Sequence, residues 1–260
     1  MAKFIAIANQ KGGVGKTTTA MNLGVALKLQ GKRVLLVDFD SQANLSEYLG
    51  FENDVNQEKL TISDLMLSVI SNKKVNVKEC IYKNTTNDID YIPSSLDLAT
   101  IENYLSSAIS RETVLKRVFI NSDIVNQYDY IIIDCPPTLA VLLINTFTLC
   151  DAILIPVQTH KFALDGLIKL NDVFLQIKEV LNNKLEIIGI LPTMTDNTNI
   201  SKNVLDNLKN TYQDLVINTI IPRCVEAPNS TESGISVCLQ KNSKLSDAYI
   251  NLSKEVINRN

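Results

Sequence analysis

The apolar run Lys3–Asn9 (KFIAIAN) gives way to three glycines within four residues, Gly12, Gly13 and Gly15, and then to a helical pattern from Lys16 to about Gln30. No other feature narrows the fold as much. Gly31 stops the helix, and Arg33–Asp38 (RVLLVD) supplies a second apolar run. Two strands joined by a helix lie parallel, because a hairpin turn cannot make that connection. Neither run alternates apolar with polar residues. That is the pattern of strands buried on both faces.

The same reading extends along the chain. Tyr128–Asp134, Asp151–Val157, Leu185–Leu191 and Val216–Ile221 read as further strands. Leu139–Leu149, Lys161–Leu181 and Ile200–Tyr212 read as helices between or after them. The expected fold is α/β, with a mostly parallel central β-sheet flanked by helices on both faces. Phe51 to about Asp88 is more polar and asparagine-rich. It reads as a short helix (Ile62–Ile70) with loops, peripheral to the sheet. Leu245–Ile257 reads as a final amphipathic helix, with Leu245, Ala248, Tyr249, Leu252 and Val256 on one side. A chain of 260 residues fits one or two domains, and the expectation is one, spanning 1–260.

Placed between a strand and a helix, Lys11-Gly12-Gly13-Val14-Gly15-Lys16-Thr17-Thr18 is where backbone N–H groups and a helix N-terminus hold phosphates. Its glycines let the backbone come close to a ligand. Lys16 suits the β- and γ-phosphates, and the Thr17 hydroxyl suits Mg²⁺. The ordinary phosphate loop needs glycine where Gln10 stands, and the dinucleotide pattern needs glycine where Thr18 stands. The sequence instead has KGGxGKTT, with an extra lysine at Lys11.

Two sets of carboxylates end apolar runs. Asp134 closes one and precedes Cys-Pro-Pro, a position that suits Mg²⁺ held directly or through water, or a cap for the next helix. Asp38 and Asp40 close another. They share a side if the strand continues, and they also suit a turn ahead of a helix near Asn44.

At 45% hydrophobic and 20% charged residues, the chain has globular composition. A net charge of −3 excludes a globally basic nucleic-acid binder but leaves room for a local patch. Five dispersed cysteines with only His160 beside them give no metal-site spacing and fit incidental thiols in a reducing compartment. No targeting run and no apolar stretch near 18 residues is visible, so the expectation is a soluble cytoplasmic protein.

These motifs resemble those of the ParA/Soj group of deviant Walker A ATPases, whose superfamily includes MinD. The resemblance also rests on VLLVDFDSQANLSEYLG (Val34–Gly50), YDYIIIDCPPTL (Tyr128–Leu139), ILIPVQTHKFALDGL (Ile153–Leu167), IIGILPTMTDNTNIS (Ile187–Ser201) and IIPRCVEAPNS (Ile221–Ser230). It implies a P-loop ATPase that uses ATP and Mg²⁺. It assigns Asp40 to orienting the attacking water, Asp38 to a supporting place, and Pro222 to packing against the adenine. Lys11 would cross the interface of a nucleotide-sandwich homodimer and reach the partner copy's phosphates. The nitrogenase iron-protein branch shares the loop but places a cluster cysteine elsewhere than Cys135.

The resemblance further implies non-specific DNA binding by the ATP-bound dimer, and a ParB-type partner that triggers hydrolysis, with the protein on the nucleoid. The family usually carries an arginine in the block that here reads Thr195-Asp-Asn-Thr-Asn, and a second one shortly after Arg223. Lys202 and Lys209, seven apart on one helix, with Arg223, Lys241 and Lys244, are the substitutes in this chain. Larger relatives carry a helix-turn-helix domain ahead of the first strand, and none is expected here. Two alternatives remain. One is a MinD-like positioning ATPase at a membrane, and the other is a scaffold that has lost turnover. The mixed charge of the last helix speaks against the first, and intact Lys16, Asp40 and Asp134 against the second.

Overall fold

β1 (Lys3–Ile7) leads through the glycine loop into α1 (Lys16–Leu29) and returns as β2 (Val34–Asp38). The structure, a computed structural model, describes residues 1–52, 59–73, 75–120, 122–160 and 163–259. After β2 come α2 (Asn44–Tyr48), α3 (Ile62–Ile70), β3 (Tyr82–Asn84), β4 (Ile89–Ile92), α4 (Asp97–Ser107) and α5 (Val114–Ile120). β5 (Tyr130–Asp134), α6 (Val141–Leu149), β6 (Ala152–Gln158), α7 (Ala163–Val180) and β7 (Glu186–Thr193) follow. α8 (Asn199–Tyr212), α9 (Glu226–Ser233) and α10 (Lys244–Arg259) close the chain.

Among the described residues seven strands form one sheet in the order β3-β4-β2-β5-β1-β6-β7. All neighbours are parallel except β3 with β4. Successive residues of each strand go to opposite faces. Phe4, Leu35, Ile131 and Ile153 pack beneath α3 to α7, with Leu65, Leu115, Phe147 and Leu170. Ile5, Leu36, Ile132 and Leu154 pack against α1 and α10, with Leu23, Leu27, Tyr249 and Leu252. Burial on both faces is why the strands read as unbroken apolar runs.

Two expectations need correction. Val216–Ile221 is not a strand. Val216 makes an isolated parallel bridge to Ile190, Pro222 just beyond the segment makes another to Thr195, and Ile217 and Ile221 donate to the Ile190 and Pro192 carbonyls. The N–H groups of Asn218 and Thr219 go instead to the Glu255 carboxylate, at 2.9 and 3.0 Å. The ladder breaks between Ile217 and Ile221 because a side chain takes the donors there. The 51–88 stretch is also less peripheral than its polarity suggests. α3 has the expected bounds, but Ile62, Leu65 and Met66 are buried in the core, and β3 forms the sheet edge. The loop expected over 53–58 and the expected start of the seventh helix at 161–162 lie outside the described residues.

Candidate active site

The carboxyl ends of the parallel strands converge at the glycine loop, the place where open α/β sheets bind ligands. Asn9, just past β1, anchors the loop. Its Nδ2 donates to the Pro156 carbonyl at 2.7 Å and its Oδ1 accepts from the Lys11 N–H at 2.9 Å. On the other side the Thr193 hydroxyl, at the end of β7, donates to the Val14 carbonyl at 2.9 Å.

Gly13 (φ 70°) and Gly15 (φ 86°) occupy the left-handed region, which favours glycine. Gly15 is the N-cap of α1 and has no side chain to satisfy the first helical N–H groups. Those donors and the positive end of the helix are left for an anion. A Cβ on Gly12 or Gly13 would meet no protein atom within 4 Å, so the loop is small toward open cleft rather than toward a protein neighbour. Lys16 is 8% exposed, and its ammonium donates to the Lys11 carbonyl at 3.4 Å, back across the loop.

Asp38 and Asp134 end β2 and β5 as register partners. The Asp38 carboxylate is fully engaged. It accepts from the Ser46 N–H (2.8 Å), the Ser46 hydroxyl (2.7 Å) and the Asp40 N–H (3.1 Å). Burial pushes it up to about 6, against the pull of those hydrogen bonds. Asp134 is equally buried, and its Oδ1 has no hydrogen-bond partner among the described residues. Burial, and then the charge of Asp38, holds its carboxyl well above the usual range, while the Thr17 hydroxyl and Lys16 pull the other way. An orphaned carboxylate oxygen beside a threonine hydroxyl and an ammonium is a suitable seat for a hard divalent cation. Among the described residues no three His, Cys, Asp or Glu side chains gather to hold a metal. A cation here would therefore share its ligands with phosphates, as Mg²⁺ does.

The strand ends at Asp38, so Asp40 does not sit on its continuation. Asp40 caps the turn into α2, accepting from the Gln42 N–H at 3.0 Å, and lines the cleft together with Lys16, Thr17 and Thr18. That cleft has a volume of about 920 Å³. It reaches beyond the loop to residues that sequence reasoning missed: Glu47 and Tyr48 on α2, Asn84 and Thr86 near the β3–β4 turn, Met194 past β7, and Thr231–Gly234 at the end of α9. Only the Ile221–Ser230 motif pointed toward α9.

The remaining expected residues lie outside the cleft. Pro222 and Lys244 line a second hollow of about 580 Å³ with Thr219 and Asp247. The Pro222–Thr195 bridge holds Pro222 beside the segment that carries Met194. Arg223 is exposed, its N–H donates to the Thr195 carbonyl at 2.9 Å, and its charge helps to lower the Asp196 carboxyl. Lys202 and Lys209 are exposed on α8, and Lys241 is exposed in the turn before α10.

A glycine loop at the end of β1, an acidic residue at the end of β5 and a parallel sheet define a P-loop nucleoside triphosphatase, here with the second loop lysine of the deviant Walker A type. The "AAA domain" family model AAA_31 matches residues 2–187. The sporulation initiation inhibitor protein Soj of Bacillus subtilis is 42% identical, over 98% of each chain. The chromosome partitioning protein ParA of Caulobacter vibrioides is 38% identical, over 99% of this chain and 94% of its own. The chain belongs to the ParA/Soj family of deviant Walker A ATPases. Among solved structures, cobyrinic acid a,c-diamide synthase from Mycobacterium smegmatis with bound ADP and magnesium superposes with a TM-score of 0.84. It is 31% identical and the match covers 99% of this chain and 95% of that one.

Proposed function

We propose that the chain is a Mg²⁺-dependent partitioning ATPase, with residues 1–260 acting as one domain. The observation that carries this reading is the cleft. It is lined by the phosphate loop and Asp40 at the end of the sheet, and behind its Lys16 and Thr17 lies Asp134 with an unpartnered oxygen. Residues Gly12–Thr18 cradle the phosphates of ATP, and Lys16 supplies a buried positive charge to them. Pro222, bridged to Thr195 beside the cleft residue Met194, flanks the base where it leaves the cleft. Thr17 and Asp134 hold Mg²⁺, which when bound neutralises charge on the phosphate oxygens. Asp40 orients the attacking water. Lys11 reaches the phosphates of a second copy, so that two chains close a nucleotide-sandwich homodimer and stabilise the charge that develops in phosphoryl transfer. Hydrolysis is slow until a ParB-type partner engages.

The dimer binds cytoplasmic nucleoid DNA without sequence preference, through Lys202, Lys209, Arg223, Lys241 and Lys244, and thereby segregates a plasmid or chromosome. These five cations are all solvent-exposed, as phosphate contacts require. The MinD-like alternative needs an apolar helix face free for lipid. In α10 that face, Leu245, Tyr249, Leu252 and Val256, is buried in the core shared with α1. No helix of the described residues is long and apolar enough to cross a membrane.

Electrophoretic shift of random duplex DNA with and without ATP, across a salt series, tests the reading, alongside phosphate release with and without Mg²⁺. ATP-dependent, salt-sensitive binding and Mg²⁺-dependent release are expected. An intact ATP-driven dimer that gives no shift at low salt would remove DNA from the function and leave the ATPase.

A further inference from the structure

Residues 230–238 run from the last turn of α9, through Gly234, to the helical turn Val237–Leu239. Thr231, Glu232, Ser233 and Gly234 form one wall of the cleft. This strap is fastened at three buried points on three separate elements. On α1, the fully buried Asn22 accepts at Oδ1 from the Ser236 hydroxyl (2.7 Å) and the Val237 N–H (2.9 Å), and its Nδ2 donates to the Thr18 carbonyl (2.8 Å). On α2, the Tyr48 hydroxyl is hydrogen-bonded to the Ser230 hydroxyl. Gly234, at φ 68°, comes so near α2 that a Cβ there would stand 3.2 Å from the Tyr48 carbonyl oxygen. At the β3–β4 turn, Asn87 donates from Nδ2 to the Gly234 carbonyl (2.8 Å) and accepts at Oδ1 from the Ser236 N–H (2.8 Å).

The three anchoring elements are those that build the cleft. α1 begins with Lys16 and Thr17, α2 follows the turn capped by Asp40, and the β3–β4 turn carries Thr86. A buried carboxamide whose oxygen serves two donors on another segment fixes the spacing of both segments. Displacement would leave buried polar groups without partners.

We propose that Asn22 is a positioning residue for nucleotide binding and turnover: through Ser236 and Val237 it sets the distance between the phosphate-binding helix and the strap that walls the cleft. The proposal rests on the cleft being the ATP site. Asn22 touches no substrate atom in this role. It acts through the strap, and Asn87 holds the strap's other side.

Two variants test this without altering the phosphate loop. Ser236→Ala deletes the bond to Asn22, and with it the hydroxyl cap on the Cys238 N–H, with little change in volume. Asn87→Ala releases the strap at the β3–β4 turn and leaves α1 alone, so it keeps the test open should Ser236→Ala fold poorly. Release of a fluorescent ATP analogue is followed by stopped flow, with kcat and KM for ATP and thermal melts of the same samples. Each variant is expected to speed release and raise KM about fivefold, the size of one lost buried hydrogen bond. The double variant should fall short of the product of the two effects, because both act on one strap. Melts that shift while release, KM and kcat stay at the parent values would overturn the proposal and leave Asn22 a core residue. If the parent protein itself fails to bind the analogue, the nucleotide assignment falls, and the proposal with it.

Discussion

Asp38 and Asp134 are register partners at the ends of adjacent parallel strands, yet only Asp38 has a full set of hydrogen-bond donors; Asp134 keeps an oxygen unpartnered beside Thr17 and Lys16. One carboxylate is built into the frame of the Asp40 turn. The other is left for a ligand.

This pair sets a pH dependence for the nucleotide-free protein. Burial raises both carboxyls, Asp38 to about 6, so the folded chain holds these protons more tightly than the unfolded chain does. The stability from the protonated form is fully present below about pH 4, the ordinary carboxylate range, and is lost as pH rises through about 6. Melting followed by calorimetry in chelator should therefore occur several degrees lower at pH 7 than at pH 5. A midpoint that is flat or rises over that interval would show that the two carboxylates ionise freely in the fold.

The two loop lysines should separate cleanly. Lys16 is buried against its own loop, so Lys16→Ala should weaken ATP binding by roughly 100-fold, the scale of a charge-assisted contact in a dry site. Titration calorimetry measures it, and unchanged affinity would sink the loop assignment. Lys11 contributes only backbone groups to the loop's internal hydrogen bonds. Lys11→Ala should bind ATP and stay monomeric by light scattering, whereas a normal ATP-dependent dimer would reduce Lys11 to a turn residue.

Asp40 lines the cleft, and among the described residues its carboxylate accepts only the Gln42 N–H of its own turn. Asp40→Ala should keep ATP affinity within about threefold, since the one part-buried turn bond it loses carries about 1 kcal/mol or less. It should cut hydrolysis by at least about 100-fold and trap the dimer. Phosphate release at the parent rate would exclude Asp40 from orienting water.

Charge reversal on the outer surface should act through salt. Each phosphate neutralised adds roughly 0.9 to the slope of log affinity against log salt, so a dimer using two or three cations per copy should show a slope of about −4 to −5. Lys202→Glu, Lys209→Glu and Arg223→Glu should each weaken DNA binding and flatten that slope, and pairs should do so further. Fluorescence anisotropy over a salt series measures both quantities. Slopes equal to the parent's would move the DNA surface elsewhere.

The features legible before folding lie close together along the chain. Lys11–Thr18 is a run of neighbours whose strand–turn–helix setting follows from local pattern. The acidic end of β5 at Asp134 is legible in the same way, because an apolar run closes there on a carboxylate. The unbroken apolar strands announced a sheet covered on both faces, which the packing of Phe4 and Ile5 against opposite helix layers bears out. Features that depend on surfaces meeting across long separations arise only in the fold. Asn22 and Ser236 are 214 residues apart, and Tyr48 and Ser230 are 182 apart. No periodicity encodes either meeting. Val216–Ile221 has strand-like residues, but Glu255, brought in by α10, takes the donors that a ladder would need. β3 and β4, at three and four residues, are too short to show a pattern and exist because the sheet edge offered a partner. A hydrogen bond forms where folding brings a donor to an acceptor, so the loop could be read from its neighbours in sequence, while the wall that faces it required the fold.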